Sequence, residues 1–344
     1  MTDELRIPEY QIDDPRHLPV HLRSPEWNNM CNLLKEWGGL TLIQKDNVAF
    51  LLTRLGFYNT VLQYVQPGTE EQIRSYAEEA RLTWKYANAL TKVDSKQLPA
   101  AELILLRIAE NTKKGTHTRM IALINMIVHY ARVKGDKKHI QHWCEVADEE
   151  FKYLHPENDP SDRFFASMYY RAISFLPYIN GNREETTRLL DLAEHWAKQI
   201  PTDQAPFKHM YNENLHPLLE TRAREAIWLG DMDMALERTK QFVKHDPYDP
   251  KTHYRLGDLN KRINKIEDAV VNYKTSAQLG TPYNSAAWFM VGECYEQLDE
   301  PYLALDAYLM STEINPTALS IYRIQYLSQR LNKSYLLKWS LEQS

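Results

Sequence analysis

Residues 288–316 read WFMVGECYEQLDEPYLALDAYLMSTEINP, and the spacing inside this stretch decides the fold. Trp288, Val291, Gly292 and Tyr295 stand at i, i+3, i+4 and i+7, one face of a helix, while Ala304 and Tyr308 share one face of a second. Gly292 and Ala304 are small where two helix backbones must approach, and Tyr308 is large enough to fill the space beside them. Pro316 cannot continue the second helix. The stretch predicts an antiparallel helical hairpin that stacks on its neighbours.

The pattern recurs upstream. Leu256, Gly257, Ala269 and Tyr273 stand in the same relation, followed by Thr281-Pro282; before them come Gly230 at the inter-helix turn, Ala235 at the small position and Pro247 at the exit. In these positions residues 216–318 resemble the tetratricopeptide repeat, whose unit is a helix pair of 34 residues. The resemblance implies an all-α fold, a right-handed superhelical solenoid of stacked antiparallel helix pairs. Two weaker units follow from Gly135-Asp136 with Ala147 and Pro156, and from Gly181-Asn182 with Ala193 and Pro201; their small positions carry Ile140 and Thr186. The domain plan is an extended Pro-rich arm over 1–25, divergent helical hairpins over 26–115, degenerate repeats over 116–215, clear repeats over 216–318 and capping helices over 319–344. Within the second segment, Ile73, Tyr76, Ala77, Ala80, Trp84 and Ala87 trace one stripe of a long helix after Pro67-Gly68. Another helix is expected from about Pro99 to Asn111, with Leu103, Leu106 and Ile108 among its apolar positions. The cap is read as Leu319–Leu331 and Ser334–Leu341, with Gln325, Gln329, Lys333 and Gln343 facing water.

Composition narrows the function classes. The 344 residues carry a net charge of -5, against a dedicated nucleic-acid binder, which normally has a basic excess. Cys31, Cys144 and Cys294 are far apart and odd in number, and the polar start Met1-Thr2-Asp3-Glu4 does not read as a signal peptide. No apolar run approaches a membrane span. The expectation is a cytoplasmic protein without membrane insertion.

Catalytic signatures are missing from the sequence: it has no Gly-rich phosphate loop, His-Glu-x-x-His helix, Cys-x-x-Cys pair or Gly-x-Ser-x-Gly elbow. His139 and His142, three apart with Cys144 nearby, have a spacing compatible with two metal ligands, but Cys144 points away from the pair; Asp159, Asp162 and Asp203 read as solvated loop carboxylates. No cofactor, no metal and no catalytic residue is expected. The enzyme alternative is an all-helical toroid of the carbohydrate-active kind, which needs two carboxylates converging in a deep pocket.

What the resemblance implies about binding is a concave surface lined by the first helix of each unit. Carried over position by position, it comprises Asn125, His129 and Arg132; then Arg171, Phe175 and Tyr178; then Glu220, Arg224 and Trp228. The clearest units add Lys251, Tyr254, Asp258, Lys261 and Arg262, and then Phe289, Glu293 and Glu296. Lys251 and Arg255 also match the third unit of the family's carboxylate clamp, whereas Thr221, Arg171 and Phe175 depart from the other clamp positions. Aromatic and basic in the middle and acidic towards its C-terminal end, this groove predicts a non-enzymatic scaffold or adaptor. Its partner is a protein or peptide segment that is acidic in one part and apolar or Pro-rich in another. The alternative is a structural subunit of a larger assembly, or an oligomer, held through solenoid edges and the N-terminal arm.

Overall fold

Left-handed backbone marks the chain reversals. Gly230 (φ 88°), Asn264 (61°), Asp299 (56°) and Asn332 (55°) follow one another at intervals of 34, 35 and 33 residues. At each, the next residue donates its N–H five positions back: Asp231 to the carbonyl of Ala226 (3.0 Å), Lys265 to Asn260, Glu300 to Tyr295 and Lys333 to Ser328 (each 2.8 Å). This is the bond that closes a helix whose final residue turns left-handed. Gly adopts that conformation at no steric cost, and Asn and Asp are the side chains that tolerate it best. The repeat period is thus written in the backbone as well as in residue sizes.

The computed structural model describes residues 14–131, 135–280 and 283–333, and no strand occurs among them. Among these, one compact unit runs from Asp14 to Asn214 and a second from Leu215 to Lys333. The N-terminal unit holds α1 (Pro25–Lys35), α2 (Leu42–Arg54), α3 (Tyr58–Tyr64), α4 (Glu70–Ser75), α5 (Ala77–Val93) and α6 (Leu98–Asn111). It continues with α7 (His117–His129), α8 (Lys137–Phe151), α9 (Pro160–Ile173), α10 (Phe175–Ile179) and α11 (Arg183–Lys198). Helix α12 (Ala205–Leu229) leads from one unit into the other. The C-terminal unit adds α13 (Met232–His245), α14 (Pro250–Arg262), α15 (Ile266–Leu279), α16 (Asn284–Gln297), α17 (Pro301–Ile314) and α18 (Ala318–Arg330).

In the C-terminal unit the hairpins α14–α15 and α16–α17 are each locked by a tyrosine lying on a glycine. Tyr273 of α15 and Tyr308 of α17 are fully buried. Their rings sit so close to α14 and α16 that a Cβ on Gly257 would come within 2.8 Å of Tyr273, and one on Gly292 within 2.6 Å of Tyr308. Each hydroxyl then donates to an acid of the first helix, Tyr273 to Asp258 (2.8 Å) and Tyr308 to Glu296 (2.6 Å). Ala269 and Ala304, both fully buried, bring the second helix close enough for this contact. Further upstream Ala226 and Ala235 meet in the same core cluster as Leu259.

The N-terminal unit is packed with larger residues. Met120, Leu123, Met126 and Ile127 of α7 form its main core with Ile108, Ile140 and Ala147, while Leu34, Val48, Leu52 and Val61 form a second. Helix α5 serves both, with Ala80 and Ala87 towards the first core and Leu82 and Ala89 towards the second. Lys85, buried on α5, is ion-paired with Asp46 of α2, which Arg81 also reaches at 2.6 Å.

Several boundaries differ from the sequence reading. The long helix expected from 69 breaks at Tyr76, whose backbone is extended (φ -132°, ψ 119°), so α4 folds against both α5 and α6. Leu103 points outward at 66% exposure. Helix α12 starts eleven residues before 216: Phe207, Met210 and Tyr211 pack on the N-terminal core, and the helix runs through Pro217. The expected arm is placed only from Asp14, and there it is not extended: Pro15–His17 and Val20–Leu22 form single turns, and the Pro15 carbonyl accepts the Trp27 indole N–H at 2.8 Å. Residues 1–13, Thr281-Pro282 and the expected cap helix Ser334–Leu341 lie outside the described residues.

The Gly–Tyr crossing sets one expectation. Tyr308→Ala should cost about 3–5 kcal/mol, as large-to-small core changes do, and Gly292→Ala about 1–3 kcal/mol through overpacking. Because the two touch, Gly292→Ala should cost much less in the Tyr308→Ala background. Urea denaturation followed by circular dichroism on the four proteins measures the coupling, and additive costs would contradict the contact.

Candidate partner-binding surface

The first helices α12, α14, α16 and α18 are bridged in series by ion pairs. Glu220 on α12 takes Lys251 of α14 at 2.5 Å, Lys261 of α14 takes Glu293 of α16 at 2.6 Å, and Glu296 of α16 faces Arg323 of α18 at 3.6 Å. Each pair joins neighbours about one repeat apart, so the first helices stand side by side as a single wall. The Gly–Tyr crossings, the left-handed reversals and this ordering of first helices make the C-terminal unit a stack of antiparallel helical hairpins with tetratricopeptide-like spacing.

No family model matches the chain, and no match was found among curated proteins. Among solved structures the chain is similar to MamA, at 23% identity and a TM-score of 0.34 over 47% of this chain and 92% of that one. It is also similar to YrrB, described as a TPR protein with an unusual peptide-binding site, at 13% identity and a TM-score of 0.40 over 67% and 97%. PilF of Pseudomonas aeruginosa follows at 14% identity and 0.45 over 76% and 99%.

Glu220 is the electrostatic centre of the repeat wall. It is buried, and besides Lys251 it holds Arg224 at 2.9 Å and Arg255 at 4.0 Å. Burial pushes its carboxyl up, but the Lys251 hydrogen bond and the charges of Lys251, Arg224 and Arg255 outweigh that and hold it below the ordinary value. Arg255 also reaches Asp258 at 3.3 Å, the same carboxylate that receives the Tyr273 hydroxyl. Three cations therefore surround two carboxylates, and the local balance is positive. Arg224 stands out with its side chain 55% exposed, and Arg262 is exposed at the end of α14.

The aromatic groove candidates are largely structural. Tyr254 packs edge-on against Tyr273 at 5.4 Å, and burial followed by the Asp258 charge pushes its hydroxyl up to about 12. Phe289 packs on Tyr308 at 5.2 Å, and Trp228 is half-buried.

In the N-terminal unit, Asn125 donates its amide to the Ile121 carbonyl at 2.7 Å, and His129 lies 3.7 Å from Glu102. Arg171 is buried at 7% exposure on α9; Phe175 and Tyr178 fall on the separate helix α10, half-buried and exposed respectively. Pro177 has no N–H to give the Ile173 carbonyl, which accounts for the interruption between α9 and α10. Arg132 lies outside the described residues. A cavity of about 500 Å³ opens on another face of α9 and α10, lined by Tyr169, Tyr170, Ile173 and Leu176 with Cys144 of α8 and Leu189 of α11.

That cavity includes Asp148 and Glu185, and both are engaged. Asp148 accepts the Tyr169 hydroxyl, and Glu185 forms a fork of two 2.7 Å bonds with Arg188, which holds its carboxyl below the ordinary value. A carboxyl lowered in this way is not poised as a general acid. Other polar candidates are likewise placed by local bonds. His139 bonds Asp136 at 2.7 Å and stacks on Tyr130, Asp159 caps α9, Asp162 is held by His117 at 2.6 Å and Asp203 is exposed. Burial drives the Cys144 thiol up to about 12, so it stays protonated. Sequence reasoning passed over His216, Asp246 and Asp249, which the fold brings together across about thirty residues; the Asp-Pro-Tyr-Asp turn after a helix was the available signal.

Because the Glu220 carboxyl is lowered in the folded state, its contribution to stability is present above its unfolded value, near pH 4.5, and is lost as pH falls through the lower folded value. Lys251→Met should cost about 1–3 kcal/mol at pH 7, between exposed and fully buried pairs. The gap from wild type should shrink below about pH 4. Urea midpoints taken from pH 7 to pH 3 test this, and a pH-independent difference would contradict the pairing.

Proposed function

We propose that the chain is a non-enzymatic cytoplasmic adaptor that holds an extended, partly acidic peptide segment of a protein partner along the wall of α12, α14, α16 and α18. The observation that carries this reading is the positive surplus around Glu220, where Arg224, Lys251 and Arg255 exceed the carboxylates they pair with. Exposed Arg224 and Arg262 offer forked donors for carboxylates on such a segment. The tyrosine-locked hairpin of α14 keeps Lys251, Arg255 and Arg262 on a fixed helix, and Glu220 holds Arg224, so little ordering of the receptor opposes binding.

A second reading, a subunit held in an assembly by the end of its stack, is favoured by one feature. Leu319, Tyr322 and Tyr326 form an exposed stripe at i, i+3 and i+7 on α18. Light scattering separates the readings: a dimer that Tyr322→Glu dissolves supports the assembly.

For the adaptor reading, a fluorescent peptide alternating Glu with Leu and Pro should bind at low salt, and a Lys-for-Glu control should not. Arg224→Glu with Arg262→Glu should weaken binding about tenfold or more, equivalent to ~1.4 kcal/mol, with unchanged circular dichroism. Fluorescence anisotropy that fails to distinguish the two peptides, or the two proteins, would sink this reading.

A further inference from the structure

Where α12 meets the turn between α13 and α14, three metal-binding side chains converge from two segments. His216 lies on α12, while Asp246 and Asp249 flank Pro247-Tyr248 in the turn. One ring nitrogen of His216 and one oxygen of each carboxylate all lie within 4.8 Å of one another.

Both carboxylates are oriented from behind. Asp249 Oδ1 accepts the Lys251 N–H at 2.8 Å, and Asp246 Oδ1 accepts the Tyr248 N–H at 3.3 Å. Each therefore turns its Oδ2 to the imidazole, Asp249 at 3.4 Å from Nε2 and Asp246 at 4.0 Å from Nδ1. The ring itself is seated edge-on against Phe242 at 4.7 Å. Even so, neither ring nitrogen makes a hydrogen bond among the described residues. The approach of Asp246 is too long for one, and a neutral imidazole has a single N–H to offer two acceptors.

A cation between these groups resolves that arrangement. Zinc with legs of about 2.0–2.2 Å to nitrogen and oxygen sets neighbouring ligands roughly 3.4 Å apart in a tetrahedron. His216 Nε2 and Asp249 already stand at 3.4 Å, and Asp246, which faces Nδ1 at 4.0 Å with its side chain 43% exposed, would rotate to reach an ion on Nε2. We propose that His216, Asp246 and Asp249 bind one divalent transition-metal ion, zinc foremost, leaving a coordination position to solvent. An imidazole beside two carboxylates suits zinc, cobalt or manganese better than calcium or magnesium, which prefer oxygen alone. The nearby Lys251 charge opposes the ion only weakly, since its Nζ is held by Glu220 at 2.5 Å. Such an ion would staple α12 to the turn that starts α14, one helical turn before Glu220, and fix the spacing of two first helices.

The test uses the full chain, stripped with chelator and titrated with zinc chloride by calorimetry, with cobalt absorption as a second probe. One ion per chain should bind and raise the melting temperature, by linkage to the folded state. His216→Gln and Asp246→Asn should each weaken binding about tenfold or more. Asp249→Asn keeps an acceptor for the α14 cap and should leave the metal-free melting temperature near wild type while weakening zinc likewise. Absence of saturable binding up to millimolar zinc would overturn the site. So would affinity undiminished in His216→Gln and Asp246→Asn, which would place the ion on others of the 12 histidines.

Discussion

A tyrosine ring resting on backbone that has no side chain is the contact on which the C-terminal unit depends. At Gly257 and Gly292 the missing Cβ lets Tyr273 and Tyr308 lie directly on the first helix. Their hydroxyls emerge beyond it and reach Asp258 and Glu296. The same two acids take part in the ion pairing of the first helices, through Arg255 and Arg323. Core and surface are therefore one construction: the ring fixes the acid, and the acid fixes the cation.

This linkage changes what the charged wall can do. Isolated surface ion pairs contribute little to stability because ordering two long side chains offsets their attraction. Here the acids are already held by buried groups, so part of that ordering cost is met within the fold. Glu220 differs in being buried itself, with Lys251, Arg224 and Arg255 gathered around it. Its role is to hold three cations near one another at short range, which none of them would do alone.

Legibility in the sequence followed residue size. Gly292, Ala304 and Tyr308 were readable because only a narrow range of volumes satisfies a close crossing, and the fold they imply is the one observed. The left-handed reversals at Asn264 and Asp299 were not, because Asn and Asp occur freely elsewhere and only Gly230 carried the expected residue type. Residue 216 reads as the start of the clear repeats, yet α12 begins at Ala205 and passes through Pro217, with Phe207, Met210 and Tyr211 anchored upstream. Arg171 reads as a groove cation and is buried, since sequence spacing gives a helix face but not the depth of its neighbours. The His216, Asp246 and Asp249 cluster depends on how one helix lies on the turn of the next, which local pattern does not contain.

The two units differ at the small position, and their packing differs with it. Ile140 and Thr186 stand where the C-terminal hairpins have Ala, and both are buried, so the helices there cannot close on a bare backbone. Bulky side chains fill the difference: Phe164, Phe165 and Tyr169 in one core with Met120 and Leu123. Filling by large rings is less complete than filling by backbone contact, and next to the helix interrupted at Pro177 it leaves the 500 Å³ cavity open. Where Gly and Ala persist, by contrast, the hairpins meet at regular intervals and their first helices align closely enough for paired charges to bridge each step. A wall whose charges bridge every step requires that regularity, and among the described residues it belongs to the stretch from α12 to α18.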